Sequence, residues 1–491
     1  MMQFLRYVAV LGAIVLLFAC GGGDSTTTTV SGSGLNNLGQ SPAVTTNPVQ
    51  TDNNLLVSVS DGPNGFQISP NANILYATVT VCSSTDTRNC VNIDHVQVDT
   101  GSVGLRVLAS KVKSLNLQPV DISSPTQVLH AWECFPFVIG GLWGPTAKAV
   151  VGLGRQTTGE VAIHLIEDET DPTKALQPPA DCDKAADGKI LNNAGSLGSN
   201  GILGIGSTNL DCGGVCLDGS YAGFVQYYGC PPGTTDSGQG TTHFDSCSTP
   251  KNPAKVDANL QVSNPISAFV DSRFSNGVVL VMPAVGDPGA ASASGELIFG
   301  VDTVAGGAAL SNNRRPTGAN KVFLGVDWTN QNAYLNITTR LTLGGIVQTF
   351  DSSYLDTGTN GLFFSDSSKS PVTPCPTPDG IPVWYCPKSL MTLDAMLSDG
   401  GGTFQNQVGV QFQLANAEAL FSTSNTAFSG AAGTAPFGST TFAWGMPFFY
   451  GKRVYMSIWE IDKPLLQITD PNTGLITYEV VNPPWYAWTT L

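Results

Sequence analysis

An all-β chain arranged as two related lobes is the fold the sequence predicts, and three observations predict it. The 491 residues are 42% hydrophobic and only 12% charged, enough apolar material for a large core and more chain than one lobe needs. The 55 glycines and 31 prolines punctuate runs rich in Val and Thr, which favours short strands joined by turns over a helical bundle. One motif also occurs twice, as Val98-Asp99-Thr100-Gly101-Ser102-Val103-Gly104-Leu105 and as Leu355-Asp356-Thr357-Gly358-Thr359-Asn360-Gly361-Leu362. Such a pattern arises by chance on the order of 10⁻⁶ per window, so two copies point to a duplicated unit.

Along the chain, Arg6 precedes an apolar run from Val8 to Phe18 that is too short for a comfortable membrane span, so residues 1–20 read as a signal peptide. Residues 21–52 are Gly, Ser, Thr, Asn and Gln with few large apolar groups; they cannot offset the entropy of ordering and read as a flexible tether. A first lobe follows over 53–318, with strands expected at Ile74–Val81, Val91–Val98, Gly104–Leu108, Ala147–Leu153, Glu160–Ile166 and Val278–Met282. Two Cys- and Gly-rich segments, about 168–200 and 211–262, read as surface insertions because they combine turn residues with cysteines and lack periodicity. Helix signals are sparse: Asn264–Phe274, with Pro265 at an early position, and Ser389–Leu397 are the best short candidates. A second lobe over 319–470 opens with Val322-Phe323-Leu324 and Tyr334–Leu343. Residues 471–491, with Pro483-Pro484-Trp485-Tyr486-Ala487-Trp488, read as a tail packed along the body.

Charge and cysteine usage narrow the function. A formal charge of -15 with only 22 Lys+Arg offers no basic stripe for phosphates and excludes nucleic-acid binding. Setting Cys20 aside from the 11 cysteines leaves an even number, as disulfides in an oxidising compartment require. Cys82 with Cys90 and Cys375 with Cys386 are close enough to staple loops, whereas the pairing of Cys134, Cys182, Cys212, Cys216, Cys230 and Cys247 stays open. Cys212 and Cys216 lack two further ligands at zinc spacing, and no metal or cofactor is expected. His95, His130, His164 and His243 fall in no nucleophile or metal motif, and no Gly-x-Ser-x-Gly elbow is present. Asp236-Ser237-Gly238 mimics part of the repeat but follows Gly-Thr-Thr instead of an apolar strand, and reads as a loop.

In each copy of the motif an apolar strand leads into the Asp and another leaves after Gly-Leu, which places a carboxylate on a tight turn between buried strands. Desolvating an ionised Asp there is costly. Two such carboxylates brought face to face give that cost a purpose, because like-charge repulsion leaves the pair one shared proton. One then serves as base and the other as acid: a water between them loses a proton to the first while the second protonates a scissile carbonyl. Gly101 and Gly358 are needed where backbone must approach a carboxylate closely.

These turns resemble the two active-site turns of pepsin-like aspartic peptidases. The likeness extends to Asn200-Gly201-Ile202-Leu203-Gly204 and Phe442-Ala443-Trp444-Gly445, similar to the hydrophobic-hydrophobic-Gly segments that support each turn, and to Gly295–Asp302, similar to the strand that closes the first lobe. Met446–Tyr450 and Val454–Trp459 resemble the family's last strands, so the resemblance spans about 55–468. It implies a two-lobed β-barrel fold with pseudo-twofold symmetry and a few short helices. It also implies a catalytic pair, Asp99 and Asp356, hydrolysing peptide bonds of an extended substrate in a cleft between the lobes. Ser102 and Thr359 would bond the outer carboxylate oxygens, and Thr100 and Thr357 would lock the turns together. Two positions depart from the pattern: Glu133–Gly144 lacks the flap tyrosine, leaving Trp143 as the candidate to cover the cleft, and Arg106 stands where a large aromatic is common.

Leu17-Phe18-Ala19-Cys20 resembles a bacterial lipobox, which implies acylation of Cys20, and Gly21 after it implies the outer membrane of a diderm bacterium. The whole chain also resembles a family of bacterial lipoproteins of unestablished function that carry the double motif. With both aspartates in one chain, a monomer is expected. Two rival readings stand beside the peptidase: a retained fold that no longer cleaves and instead binds a glycan or protein, or serves a structural role, in the cell envelope, and a glycosidase, whose two carboxylates need no identical turns.

Overall fold

Strands form where apolar residues recur at every second position. In Leu75–Ser83 the side chains of Leu75, Ala77, Val79 and Val81 are buried in the core. Gly277–Met282 and Val103–Leu108 are apolar at nearly every position and are covered on both faces. The structure, a computed structural model, describes residues 40–63, 72–123, 128–168, 178–179, 182, 186, 188–212, 226–231, 256–305, 308–325, 335–366, 372–376, 383–402, 405–435, 440–459, 466–469, 476–479 and 483–491. Cys20, the signal peptide and residues 21–39 of the expected tether lie outside them. Among the described residues seventeen strands form one continuous sheet and seven form a second, while helices such as Ala109–Val112, Ala194–Leu197 and Ala417–Phe421 are one turn long. The protein is mostly β, as its composition predicts.

The repeat extends from sequence into topology. Cys90–Asp99 enters the first Asp-Thr-Gly turn and Val103–Leu108 leaves it; Gly201–Ile205 lies between them, with Leu203 opposite Val98 in a parallel pairing and opposite Leu105 in an antiparallel one. In the second sheet Ile346–Leu355 enters the other turn, Leu362–Phe364 leaves it, and Phe442–Trp444 lies between, with Trp444 opposite Leu355 in parallel and Leu362 in antiparallel register. Leu203 and Trp444 therefore hold the same place. The residue after each must be glycine: a Cβ on Gly204 would stand 2.7 Å from the Val103 backbone, and one on Gly445 would stand 2.1 Å from the Gly361 carbonyl oxygen.

Both sheets bury their inner faces in one apolar cluster, which runs from Val98, Leu105 and Leu203 to Phe350, Phe364 and Trp444. Under the second turn this core is aromatic. Phe442 stacks on Trp444 at 4.2 Å and on Phe364 at 4.9 Å, Phe412 packs edge-on, and the Trp444 indole donates to Thr339 Oγ1 at 2.9 Å.

Several sequence expectations need correction. Ser389–Leu397 is no helix: Met391–Ser398 is a strand, paired with Ile337–Leu343 on one side and Gln407–Leu414 on the other. Its true period is two, with Ala395 and Leu397 inward and Thr392, Asp394 and Met396 outward. Asn264–Phe274 holds only a 3₁₀ turn at Ser272–Phe274. Its first residue has another task, because the Asn264 amide donates to the Gly206 and Thr208 carbonyls at 2.8 and 3.0 Å. The tether ends earlier than expected: Val44–Thr45 pairs in parallel with Ala293–Ser294, and the Ser41 N–H donates to Asn425 Oδ1 at 2.8 Å. The segment 211–262 is more than a surface insertion, since its strand Gln226–Cys230 joins Val128–Phe137 and buries Tyr227 and Tyr228.

Cys82–Cys90 and Cys375–Cys386 are disulfides, as their spacing predicts. Cys134–Cys182 is a third, and Cys212 and Cys230 are also oxidised.

The C-terminal segment is a structural strand. Trp485–Thr490 lies between Asn320–Phe323 and Lys452–Ser457, and the latter pairs with Gly277–Met282, so the larger sheet draws strands from both sides of residue 319. Truncation after Asn482 removes this strand and uncovers Val322, Val454 and Tyr455, which are fully buried. The expected result is loss of soluble protein on expression; soluble yield and circular dichroism of the truncated chain measure it.

Candidate active site

The two Asp-Thr-Gly turns meet and are cross-bonded through their threonines. The Thr100 N–H donates to Thr357 Oγ1 at 3.1 Å and the Thr357 N–H to Thr100 Oγ1 at 3.0 Å. Each hydroxyl passes its own proton onward, Thr100 to the Leu355 carbonyl at 3.2 Å and Thr357 to the Val98 carbonyl at 2.7 Å. Both threonines are buried, so this ring satisfies polar groups that would otherwise cost stability. Gln97 adds a bond across the interface, from Nε2 to the Gly358 carbonyl at 3.1 Å.

Each turn also holds its own carboxylate in the same way. Asp99 Oδ1 accepts from the Gly101 N–H at 2.7 Å and Oδ2 from the Ser102 hydroxyl at 2.5 Å. Asp356 Oδ1 accepts from the Gly358 N–H at 2.7 Å and Oδ2 from the Thr359 hydroxyl at 2.6 Å. The eight residues expected at the two turns, Asp99 to Ser102 and Asp356 to Thr359, are therefore in one place, with the Asp99 and Asp356 carboxyls facing each other.

The glycines serve the opposite carboxylate. A Cβ on Gly101 would stand 2.6 Å from Asp356 Cγ, and one on Gly358 would stand 2.5 Å from Asp99 Oδ1. Without bare glycine backbone on both sides the carboxyls would be forced apart.

Burial, and next the charge of Asp99, push Asp356 well above the usual carboxylate range against the opposing bonds from Thr359 and Gly358. The pair thus holds on to a proton that separate carboxylates would lose. Because the folded value of Asp356 lies above its unfolded one, the folded state binds more protons between the two. The corresponding stability is complete below the ordinary carboxylate value and is lost as pH rises through the raised one. Asp356→Asn is accordingly expected to gain on the parent as pH rises from 5 to 8, with denaturation midpoints at both pH values as the readout.

Two tyrosines that sequence reasoning passed over stand near the pair. Tyr354 precedes Asp356 by two residues, and its phenol is raised first by burial and then by the charges of Asp356 and Asp99. Tyr486, from the C-terminal strand, is raised by burial and by Asp356, partly offset by its bond to Ser207. The alternation Tyr354-Leu355-Asp356 was the signal for the first. Nothing local marked the second.

The two departures from the expected pattern resolve differently. Trp143 does not cover a cleft: it is buried, stacks on Trp132 at 5.2 Å and meets Tyr228 edge-on at 5.4 Å, in a cluster with Cys134, Cys182 and Cys230. Arg106 is wholly buried and ion-paired with Glu133 and Asp211, and its guanidinium lies 3.7 Å from the Phe135 ring centroid. His164 is buried with Nδ1 2.7 Å from Glu133.

Residues 49–467 match the family described as protein of unknown function DUF3443. The chain belongs to this family. The match covers both Asp-Thr-Gly turns and their supporting segments, so the facing carboxyls lie within the family's shared region. No curated protein matches the chain.

Proposed function

We propose that this DUF3443 member is an aspartic-type endopeptidase with a pepsin-like, two-lobed fold. The observation that carries the reading is the Asp99–Asp356 pair, each carboxyl on an Asp-Thr-Gly turn, held by that turn's glycine N–H and facing the other. The matched three-strand units around the turns support the two-lobed, pseudo-twofold reading.

In the proposed reaction Asp99, ionised, takes a proton from a water held against the pair. The water oxygen adds to the peptide carbonyl carbon as Asp356 delivers its proton to the carbonyl oxygen. The tetrahedral diol then collapses: one hydroxyl proton returns to Asp356, the C–N bond breaks, and the departing nitrogen takes the proton from Asp99. Atoms and charges balance with water as the only co-reactant, and no acyl-enzyme forms. The Thr100–Thr357 ring keeps the carboxyls from separating, and Ser102 and Thr359 hold their outer oxygens.

The substrate is an extended peptide or unfolded protein, and the working form is a monomer. Acylation at Cys20 would fix the enzyme in the cell envelope, in the outer membrane of a diderm bacterium. A binding-only envelope lipoprotein is the second reading, favoured by the absence of a tyrosine from the hairpin Val128–Phe137 with Gly140–Leu153.

The test is incubation of the full chain with denatured protein over pH 3 to 7, with products identified by mass spectrometry. Internal cuts on the acidic side of neutrality are the expected result. A folded chain that makes none at any pH would leave the binding reading in its place.

A further inference from the structure

We infer that Arg106 is a positioning residue for the Asp99 turn, seated by a buried Glu133–Asp211 carboxyl pair that ties the turn to the neighbouring hairpin. This inference deepens the peptidase reading and rests on it. Arg106 Nη1 donates to the Val103 carbonyl at 2.5 Å, and Val103 directly follows Ser102, whose hydroxyl holds Asp99 Oδ2. Arg106 Nη2 donates to Glu133 Oε1 at 2.6 Å and to Asp211 Oδ2 at 3.1 Å. The rigid guanidinium fork thus joins three segments: the strand leaving the turn, the hairpin strand Val128–Phe137 and the loop after Gly201–Ile205.

The second turn has a matching clamp built from different chemistry. Asn360 occupies there the place of Val103, and its carbonyl accepts from Asn73 Nδ2 at 2.9 Å. Asn73 is buried, with Oδ1 accepting from the Phe428 N–H at 2.7 Å and the Tyr450 hydroxyl at 2.8 Å. At the same position after each catalytic turn, a carbonyl is held by a buried side chain from outside the repeated motif. Two unrelated residues meeting the same requirement point to a demand of the turns themselves.

Stability alone does not account for Arg106. Taking a guanidinium and two carboxyls out of water is costly, and apolar side chains of similar volume serve a core as well. The surrounding groups push the two carboxyls in opposite directions. Against the cost of burial, Arg106 and His164 hold Glu133 below its usual range; burial and Glu133 push Asp211 well above it; burial pushes His164 down; and Tyr227, raised by burial and by Asp211, donates to Asp211 at 3.1 Å. What the cluster supplies is a fixed donor to Val103, and through it a fixed Ser102 hydroxyl for the ionised Asp99.

The experiment compares the full chain, purified in detergent, with Arg106→Lys and with Arg106→Gln/Glu133→Gln, a paired change that strands no buried charge. Aspartate carboxyls are labelled with carbon-13, and the pair is titrated by NMR, its signals assigned from Asp99→Asn and Asp356→Asn. Loss of the clamp weakens the Ser102 bond to ionised Asp99. The lower apparent pKa of the pair is therefore expected to rise by about half a unit or more in the paired variant, with kcat down roughly tenfold, KM within about threefold, and Arg106→Lys in between. A folded paired variant with the parent's titration overturns the clamp while the peptidase reading stands. A parent whose two carboxyls titrate independently, without cleaving peptide, overturns both.

Discussion

Asp99→Asn and Asp356→Asn are each expected to lower the rate of peptide cleavage by about 10³- to 10⁴-fold, the upper range of what positioned acid–base catalysis contributes. Asparagine has the shape of aspartate, and its amide oxygen can still accept the N–H of Gly101 or Gly358, so the turns should keep their geometry. What it cannot do is give or take the shared proton. Two carboxyls that act as a unit should leave the double variant little slower than either single one. Initial rates on one peptide, with circular dichroism to certify the fold, decide the matter. Equal loss in both variants identifies a pair; loss in only one would assign the chemistry to a single carboxylate.

Arg106→Met carries the largest expected cost to stability, about 3–5 kcal/mol, the usual penalty for removing one partner of a buried ion pair. Methionine fills much of the volume, but it leaves Glu133 charged and fully buried without the guanidinium that holds it ionised. The loss should be greater at pH 7 than at pH 4, because an unpaired buried carboxyl takes up a proton as pH falls and the penalty then shrinks. Adding Glu133→Leu should recover a substantial part of the loss, since the stranded charge goes with it. Urea denaturation midpoints of the parent, single and double variants measure all three expectations. A single variant as stable as the parent would mean that the cluster contributes nothing by its pairing.

The site was more legible than its support. Asp99, Thr100, Gly101 and Ser102 with their partners from 356 to 359 form a short repeat, and short repeats survive reading without an alignment. Which carboxylate each glycine serves was not legible, because Gly101 faces Asp356 and Gly358 faces Asp99 only after the chain has folded. The Arg106 cluster draws Arg106, Glu133, His164, Asp211 and Tyr227 from five separate segments, and each alone looks like ordinary surface polarity. One clue was present: Arg106 sits in Val103–Leu108, where every residue is buried, and a cation in such a strand requires a counterion. Of the fold, the β class followed from composition. The strand Met391–Ser398 was misread because a run with Met, Leu and Ala suits either period, and its neighbours on both sides settled it. The terminal strand was missed for a related reason, since Trp485–Thr490 finds its partners about 30 and 165 residues earlier in the chain.

In the proposed reaction Asp99 and Asp356 together add water to a peptide bond without a covalent intermediate. Its most direct test is a single-turnover cleavage in oxygen-18 water, quenched in acid, with both the peptide products and the intact protein weighed by mass spectrometry. The expected result is one heavy oxygen in each new carboxyl group, an unmodified protein at every time point, and no product from Asp99→Asn or Asp356→Asn. A peptide fragment attached to the protein at early times, or cleavage that persists in both variants, would contradict it.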